Sequence, residues 1–259
     1  MYKNPNCNIC NHETDSIFSR SVLKKYHVDY FKCNNCGFIQ TELPYWLKEA
    51  YSDAITNQDI GLISRNINYS KITKVLIKVL CLDNKSNFLD YGGGYGMFVR
   101  QMRDFGYNFL RYDIYCQNIF AKNFDGNLNM KYKLITAFEV FEHLENPFDT
   151  IKELIKITDI LFFSTEVQPE NSMEIEKWWY IMEETGQHIS LYSIKSLKYL
   201  AEINQCYYYT NKKDLHIFSK RKISQLLIFI VMNKYLRKIA DIILKNKPSL
   251  LMNDYYKLK

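Results

Sequence analysis

Hydrophobic residues in the middle of the chain follow helical spacing in some segments and strand spacing in others. Apolar side chains at positions 72, 75, 76, 79 and 80 recur three or four residues apart, which predicts a helix inside a mostly helical segment, 46–86. Short apolar runs predict strands at 88–91, 107–112, 132–138 and 160–164. Helices are predicted at 97–105, 147–157 and 194–203.

This alternation predicts an α/β fold with a doubly wound, mostly parallel, Rossmann-like sheet. Two apolar stretches, 206–210 and 214–218, flank a polar turn and predict an antiparallel strand that closes the sheet. We expect three domains: a small N-terminal domain at 1–45, the sheet domain at 46–220, and a helical tail at 221–259.

Two CxxC pairs, Cys7–Cys10 and Cys33–Cys36, lie in the first domain and are separated by 22 residues. Their equal spacing, with a plausible strand at 30–32 between them, predicts a zinc ribbon in which four thiolates hold Zn²⁺. The alternative is four thiols without a metal. The polar N-terminus does not read as a signal peptide, so we expect a reducing, cytoplasmic setting, where such pairs favour a metal over disulfides. The isolated cysteines at 81, 116 and 206 are expected to be buried thiols.

Positive charge is concentrated in the tail. The 259 residues carry a net charge of +6, whereas residues 220–259 hold ten Lys or Arg and two Asp, a balance of +8 that leaves −2 for the remainder. A nucleic-acid partner therefore gains no support from overall charge.

The tail also contains an apolar run, 226–232, that is too short for a bilayer span of about 20 residues. With the apolar residues at 235, 236, 239, 242 and 243 it predicts a basic amphipathic helix. We expect this helix to pack on the body or on a second subunit, as in a homodimer. The alternative is attachment to a membrane surface.

A glycine-rich turn at 92–96 follows the strand 88–91 and opens the helix 97–105. Glycines at such a turn let the backbone approach a ligand, and Asp90 comes directly before it. Asp113 follows the second strand, where a carboxylate can accept both ribose hydroxyls. The turn fits dinucleotide binders as well, whereas the missing Lys-Ser/Thr pair excludes a P-loop.

These motifs resemble the class I S-adenosylmethionine-dependent methyltransferases over about residues 70–218. The resemblance rests on Leu89-Asp-Tyr-Gly-Gly-Gly-Tyr-Gly, on Asp113, and on Ile135-Thr-Ala-Phe-Glu-Val-Phe-Glu-His-Leu-Glu-Asn-Pro. It implies S-adenosylmethionine as the cofactor, with Asp90 among its binding residues and Gly92 and Gly94 lining the methionine end. It also implies that Asp113 binds the ribose and that Phe138 and Glu139 flank the sulfonium.

Three possible metal ligands, Glu139, Glu142 and His143, have i, i+3, i+4 spacing and would share a face if this stretch turned helically. Two carboxylates and an imidazole could hold Mg²⁺ or Mn²⁺. The pattern resembles that of the ubiquinone-pathway O-methyltransferases, in which it is linked to a divalent ion. The alternative is that Glu142 and His143 only cap and orient the loop.

Residues 178–190 are rich in aromatic, Glu, Gln and His side chains, which suit sugar rings and their hydroxyls. His188 is a candidate general base, and the alternative is a buried structural histidine. Glu166, after the strand 160–164, could hold the sugar, and His143 is a further catalytic candidate.

The CxxC pairs and Gln187-His-Ile-Ser-Leu-Tyr-Ser together resemble bacterial sugar methyltransferases with a zinc-binding N-terminal domain, some of which methylate carbon in nucleotide-linked keto-sugars. The resemblance places His188 on their proposed base. Gln187 replaces a glutamate, Thr185 replaces a tyrosine, and their additional C-terminal domain is missing. These departures count against carbon methylation, so we expect O-methylation of a nucleotide-linked or glycan sugar in surface-polysaccharide biosynthesis.

Three alternatives remain open. The first is sugar C-methylation, and the second is a nucleic-acid methyltransferase or binder that uses the ribbon and the tail. Few consecutive basic residues in the ribbon, and no Asn/Asp-Pro-Pro-Tyr signature, make nucleic acid an unfavoured partner. The third is a non-catalytic scaffold, against which the cofactor glycines and Asp113 argue.

Overall fold

The structure is a computed structural model that describes residues 4–52, 60–82 and 86–259. The predicted helical segment 46–86 is described in part, as a short helix α1 (Leu47–Ala50) and a long helix α2 (Leu62–Val79). Positions 53–59 and 83–85 of that prediction lie outside the described residues.

The strands are β1 (Thr14–Val22), β2 (Tyr26–Cys33), β3 (Ile39–Thr41), β4 (Phe88–Tyr91), β5 (Phe109–Tyr112), β6 (Leu134–Ala137), β7 (Ile160–Ser164), β8 (Ser190–Leu191), β9 (Tyr207–Thr210) and β10 (Leu215–Ser219). The further helices are α3 (Met97–Asp104), α4 (Pro147–Ile157), α5 (Ser172–Glu176), α6 (Ile194–Ile203), α7 (Gln225–Met232), α8 (Lys234–Ile243) and α9 (Leu251–Lys257). Two 3-10 helices lie at Phe141–His143 and Trp179–Ile181.

A six-stranded sheet has the order β5-β4-β6-β7-β10-β9. β4 pairs in parallel with β5 and with β6, and the core residues of β4, β6 and β7 are buried, as expected for strands covered on both faces. β10 runs antiparallel to β7, because the N–H of Lys220 bonds to the Asp159 carbonyl while that of Thr165 bonds to the Asp214 carbonyl. The predicted Rossmann-like sheet with a closing antiparallel strand is confirmed.

The N-terminal sheet is larger than the single short strand predicted at 30–32. Its order is β1-β2-β3-β8, with β1 and β2 forming an antiparallel hairpin. Leu23 and Lys24 make the turn with positive φ angles of 53° and 56°. Asn and Gly are the residues that usually signal such a turn in a sequence, which is why the hairpin was missed.

By internal contacts the chain divides into two compact units. Unit 1 comprises 1–56, 139–156 and 163–218, and unit 2 comprises 57–138, 157–162 and 219–259. The predicted domain limits at 45 and 220 remain predictions. In unit 1, one core cluster joins the hairpin residue Tyr30 to Trp46 and Tyr180, and the indole N–H of Trp46 donates to the Gly186 carbonyl at 2.8 Å. In unit 2, α3 packs on α2 and on β5, with the ring of Phe98 edge-on to that of Phe109.

The tail forms three helices rather than one continuous helix. α7 buries Ile228 and Val231, whereas no side chain of α8 is buried. α9 is fixed in unit 2 by the buried Asp254, whose carboxylate accepts hydrogen bonds from the Arg103 guanidinium at 2.8 and 2.6 Å. Within the described ranges, no helix combines the length and apolar character needed to cross a bilayer.

The isolated cysteines differ from the prediction of buried thiols. Cys81 is exposed, and Cys116 and Cys206 are half-buried. Cys81 follows α2 with a positive φ of 50°, so it lies on the turn that ends the helix rather than on its buried face.

Candidate functional site

The four N-terminal cysteines converge on one point in unit 1. Their sulfur atoms all lie within 4.8 Å of one another, with Cys7 Sγ 3.7 Å from Cys36 Sγ and Cys10 Sγ 3.4 Å from Cys33 Sγ. Sulfurs bonded tetrahedrally to zinc at about 2.3 Å lie roughly 3.8 Å apart. The buried, four-sulfur arrangement therefore fits a structural zinc ion.

Backbone amides support these sulfurs in the way expected of zinc-binding turns. Cys7 Sγ accepts the N–H of Ile9, and Cys33 Sγ accepts the N–H groups of Asn35 and Cys36, each at 3.4 Å. A hydrogen bond with the Cys36 thiol lowers the pKa of Cys7 to about 5. Such donors stabilise thiolates, which are the form that binds a metal.

The glycine-rich loop (residues 92–96) leaves β4 in unit 2. A Cβ at Gly93 would lie 2.7 Å from Oδ2 of Asp90 and 3.1 Å from Cγ of Arg111, so the close approach of these groups requires glycine. Gly94 has a φ of +52°, and a Cβ there would meet no described atom within 4 Å. The backbone at Gly94 therefore faces open space, as a cofactor-binding loop requires. This open face of the glycine-rich loop is called the cradle below.

Asp113, at the end of β5, is bonded to this loop. Its Oδ2 accepts the N–H of Gly94 at 2.8 Å, and its Oδ1 accepts the N–H groups of Tyr115 and Cys116, both at 2.8 Å. The carboxylate predicted to bind a ribose therefore also shapes the backbone beside the cradle.

Arg111 is a second, unpredicted support of the loop. Arg111 is 4% exposed, and its Nε–H donates to the Gly94 carbonyl at 2.5 Å. The same guanidinium donates to the Cys116 carbonyl and to Asp125, and it lies 3.8 Å from Asp113. A charged residue inside the apolar strand Phe-Leu-Arg-Tyr was the signal that could have revealed it.

Asp90 is buried beneath the loop. The hydroxyl of Thr136, on the neighbouring strand β6, donates to Asp90 Oδ1 at 2.7 Å. Burial is the larger effect and raises the pKa of Asp90 to about 7, while the Thr136 hydrogen bond acts in the opposite direction. Asp90 therefore gains or loses its proton near neutral pH.

Phe138 and Glu139 are consecutive, and the division between the two units falls between them. The Phe138 ring stacks on Tyr69, with centroids 4.3 Å apart and planes at 7°. Glu139 has a positive φ of 55°, and its Oε1 accepts the Ser164 hydroxyl at 2.6 Å. A positive φ is uncommon for a residue other than glycine.

Glu142, His143 and His188 form a compact group in unit 1, hereafter the imidazole cluster. One ring nitrogen of each histidine and one Glu142 oxygen all lie within 4.8 Å of one another. The Nδ1 atoms of His143 and His188 lie 3.0 Å from the Gln187 carbonyl and 2.6 Å from the Tyr180 carbonyl. A carbonyl can only accept, so both Nδ1 atoms carry the proton and both lone pairs are on Nε2.

Backbone bonds hold the two halves of the imidazole cluster together. The N–H of Ile189 donates to the Glu142 carbonyl at 2.9 Å, and the Ser190 hydroxyl donates to the Leu144 carbonyl at 2.6 Å. The strand β8 therefore keeps His188 against the 3-10 helix Phe141–His143.

Glu142 is fully buried, and no described residue gives its carboxylate oxygens a hydrogen bond of good geometry, although the side chains of Tyr180 and Thr165 lie close enough to favour its charged form. Burial, followed by the charge of Glu139, raises the pKa of Glu142 to about 8. Burial of an ionised carboxyl is costly, and either a proton or a cation at the imidazole cluster relieves that cost.

A protein-family profile described as a methyltransferase domain matches residues 65–210, more than half of the chain. The chain belongs to this methyltransferase family. The matched range includes the cradle at Gly94, Asp113 and the imidazole cluster of this methyltransferase. The predicted class I S-adenosylmethionine-dependent methyltransferase is therefore confirmed as a family assignment.

Several solved structures are similar to this methyltransferase. Magnesium protoporphyrin IX methyltransferase from Synechocystis, with bound SAH, is 16% identical, with a TM-score of 0.40 over 66% of this chain and 90% of that chain. CalO1, a methyltransferase in calicheamicin biosynthesis in its SAH-bound form, is 11% identical, with a TM-score of 0.41 over 68% and 60%. A chain from the complex between the Haloferax volcanii Trm112 methyltransferase activator and a methyltransferase is 14% identical. Its TM-score is 0.49, over 70% of this chain and 98% of that chain. Comparison with curated proteins gave no match.

The structure of this methyltransferase groups the predicted site residues differently from the sequence. His188 joins Glu142 and His143, whereas Glu139 bonds to Ser164 and is not part of the described three-ligand group. Glu166 is half-buried after β7, and its charged neighbours are Lys213, Asp214 and Glu139. The predicted roles of these residues in catalysis and binding remain predictions.

Proposed function

We propose that this methyltransferase transfers the methyl group of S-adenosylmethionine to a hydroxyl of a nucleotide-linked or glycan sugar, in the biosynthesis of a surface polysaccharide. The imidazole cluster carries the proposal, since a hydroxyl needs help in losing its proton and two oriented imidazoles supply lone pairs for it. The sugar is inferred from the aromatic and polar side chains around His188 and from the resemblance to sugar methyltransferases.

The glycine-rich loop of unit 2 is proposed to bind the methyl donor. When bound, S-adenosylmethionine supplies an electrophilic methyl group on a sulfonium and leaves as a neutral thioether. Gly94 offers uncovered backbone to it, while Asp113 and Arg111 fix the loop through the Gly94 N–H and carbonyl. This fixed backbone supports a cofactor role because a preformed loop loses little freedom on binding.

The residues proposed to act on the acceptor hydroxyl belong to unit 1. The acceptor oxygen forms a bond to the methyl carbon as the carbon–sulfur bond breaks, and the hydroxyl proton leaves for a base or for water. His188 is the base expected from the sequence, and its Nδ1–H bond to the Tyr180 carbonyl keeps the Nε2 lone pair in the ring orientation that a base requires. Tyr180 also packs edge-on to the His188 ring, at 4.5 Å between centroids.

A panel of nucleotide sugars incubated with methyl-labelled S-adenosylmethionine tests the proposal. We expect a methyl ether on one sugar, identified by NMR of the product. His188→Ala should lower turnover about 10²- to 10⁴-fold, the usual contribution of a general acid or base, and leave cofactor affinity unchanged by calorimetry. His27→Ala, at an exposed histidine on β2, is the matched control.

Other labelled products would support one of the alternative functions instead. A new carbon-bound methyl group would favour the alternative of keto-sugar C-methylation. Label in RNA, with steeply salt-dependent binding, would favour the nucleic-acid alternative. Label in none of the sugars, with normal cofactor binding, would contradict the sugar proposal while leaving the family assignment intact.

We further propose that helix α8 attaches the enzyme to an anionic membrane surface. Its exposed face carries Tyr235, Ile239, Ile242 and Ile243, which are 76%, 53%, 84% and 74% exposed. Lysines at 234, 238 and 245 lie beside this face, within the stretch 220–259 whose charge balance is +8. Apolar side chains flanked by lysines suit a headgroup boundary with negative charge. A homodimer through the same face is the competing outcome.

A further inference from the structure

We infer that the imidazole cluster is a binding site for a divalent transition-metal cation, with Glu142, His143 and His188 as its protein ligands. Their candidate ligand atoms lie within 4.8 Å of one another. Ligands bonded to one ion at about 2.0–2.2 Å lie roughly 3–4 Å apart. Small side-chain rotations therefore bring all three atoms to coordination distance.

The two imidazoles already have the orientation of metal-binding histidines. Each Nδ1–H donates to a backbone carbonyl, that of Gln187 for His143 and that of Tyr180 for His188. Such outer hydrogen bonds fix the tautomer and leave Nε2 as the ligating atom. The rings of His143 and His188 meet edge to face, with centroids 4.9 Å apart, so they can converge on one point without stacking.

Glu142 supplies a second, independent observation. It is 0% exposed, and its only close polar side chains among the described residues, Tyr180 and Thr165, do not meet either oxygen with good hydrogen-bond geometry. Proteins rarely bury a carboxylate in this way unless a charge compensates it. A cation at the imidazole cluster would provide that charge, and the half-buried histidines leave a route by which it can enter.

The donor set selects the class of metal. Two nitrogens and one oxygen suit Mn²⁺, Fe²⁺, Co²⁺ or Zn²⁺, whereas Mg²⁺ and Ca²⁺ prefer oxygen ligands throughout. The inferred ligand set differs from the one expected from the sequence, because His188 takes the place of Glu139. It also differs from the cysteine site, whose soft thiolates favour zinc.

The role of this cation rests on the proposed function. If the acceptor is a sugar hydroxyl, an ion held by three protein ligands has positions left to bind it, and would lower the pKa of that hydroxyl, with its proton released to water. With the ion bound, His188 would help the hydroxyl to lose its proton as a ligand of the ion, and without the ion it would do so as the base of the proposed function. The binding site itself does not depend on the identity of the acceptor.

Titration of the zinc-loaded full chain with Mn²⁺, followed by EPR of the free ion, tests the site without cofactor or acceptor. Mn²⁺ is chosen because thiolates hold it poorly. We expect one Mn²⁺ to bind per chain, and Glu142→Gln and His188→Ala each to weaken binding about tenfold or more. Glu142→Gln preserves side-chain size, and thermal unfolding of each variant checks that it is folded.

The controls are Glu145→Gln and His27→Ala, which change an exposed carboxylate and an exposed imidazole outside the imidazole cluster. Both should bind Mn²⁺ as the unaltered chain does. Absence of Mn²⁺ binding by the unaltered chain, or equal binding by Glu142→Gln and His188→Ala, would overturn the inference. Because no sugar is present, this result is separate from a failure to methylate sugars.

Discussion

The amide of Gly94 donates a 2.8 Å hydrogen bond to Oδ2 of Asp113, tying the glycine-rich loop to the end of β5. Two more backbone amides, of Tyr115 and Cys116, bond to Oδ1. An ionised carboxylate offers about four acceptor sites, so three are engaged within the protein and about one is left for a ligand. Asp113 therefore orders the glycine-rich loop, and this role is separate from the ribose binding predicted for it.

Replacing Asp113 by Asn separates these two contributions. The amide keeps one acceptor oxygen but turns the other into a donor facing a backbone N–H. We expect Asp113→Asn to reduce the free energy of unfolding by about 1–3 kcal/mol, since charge-assisted bonds are lost. Cofactor affinity should fall about tenfold or more, because the loop loses its order. Urea unfolding without cofactor, together with calorimetry, measures both effects.

Asp104→Asn is the matched control, because Asp104 pairs with Arg100 on the exposed side of α3. Its effect on unfolding should stay below about 1 kcal/mol. If Asp113→Asn weakened cofactor binding with no loss of stability, its hydrogen bonds to the loop would have no energetic importance.

Gly94→Ala probes the open face of the cradle. A φ of +52° makes alanine strained there, by about 1–2 kcal/mol, yet its methyl group would meet no described atom within 4 Å. We expect a small loss of stability and a large loss of S-adenosylmethionine affinity, because the methyl group occupies space that a cofactor needs. Calorimetry showing unchanged affinity would mean that the cofactor does not approach Gly94.

The sequence predicted the strands of the six-stranded sheet and the glycine-rich loop well, because their signals are local, but it missed most of the N-terminal sheet. It predicted Glu139 as the third metal ligand, whereas the candidate group in the structure contains His188 instead, and the ligand set stays a prediction. The i, i+3, i+4 argument requires a helical turn from Glu139, but Glu139 has a φ of 55° and the 3-10 helix begins only at Phe141. His188 replaces it through strand β8, a tertiary contact that spacing cannot reveal.

Cysteine replacement tests the zinc site. We expect Cys10→Ser to lose about one equivalent of zinc and to lower the free energy of unfolding by about 3 kcal/mol or more, because structural zinc contributes about 10–16 kcal/mol in isolated fingers. Elemental analysis and denaturant unfolding measure these changes. Cys81→Ser, at an exposed and isolated thiol, should retain the metal. Equal zinc content in the two variants would argue against a four-cysteine site.

Vesicle binding tests the role proposed for α8. We expect the full chain to sediment with vesicles containing phosphatidylglycerol, less so at high salt, and not with neutral vesicles. Ile242→Glu should weaken binding about tenfold, because it places a negative charge in the apolar face. Ile63→Glu alters an isoleucine of α2 that is 61% exposed and should have no effect. A concentration-dependent dimer that Ile242→Glu disrupts, with no vesicle binding, would favour a subunit interface instead.

Asp90 predicts a specific dependence of stability on pH. Burial raises its pKa from 3.8 to about 7 in the folded protein. Between these values the unfolded chain ionises while the folded chain keeps its proton, so this group's contribution to stability is present below about pH 4 and is lost as the pH rises through 7. At 1.36 kcal/mol per unit, the loss is about 4 kcal/mol.

Asp90→Asn removes this titration. The difference in free energy of unfolding between Asp90→Asn and the unaltered chain should therefore shift in favour of the variant, by about 4 kcal/mol, between about pH 4 and pH 8. Urea unfolding at several pH values measures it, and Asp15→Asn, at an exposed position on β1, should show a flat difference. A difference for Asp90→Asn that does not change with pH would mean that Asp90 is ionised in the folded protein throughout, with Thr136 and Arg111 compensating its charge.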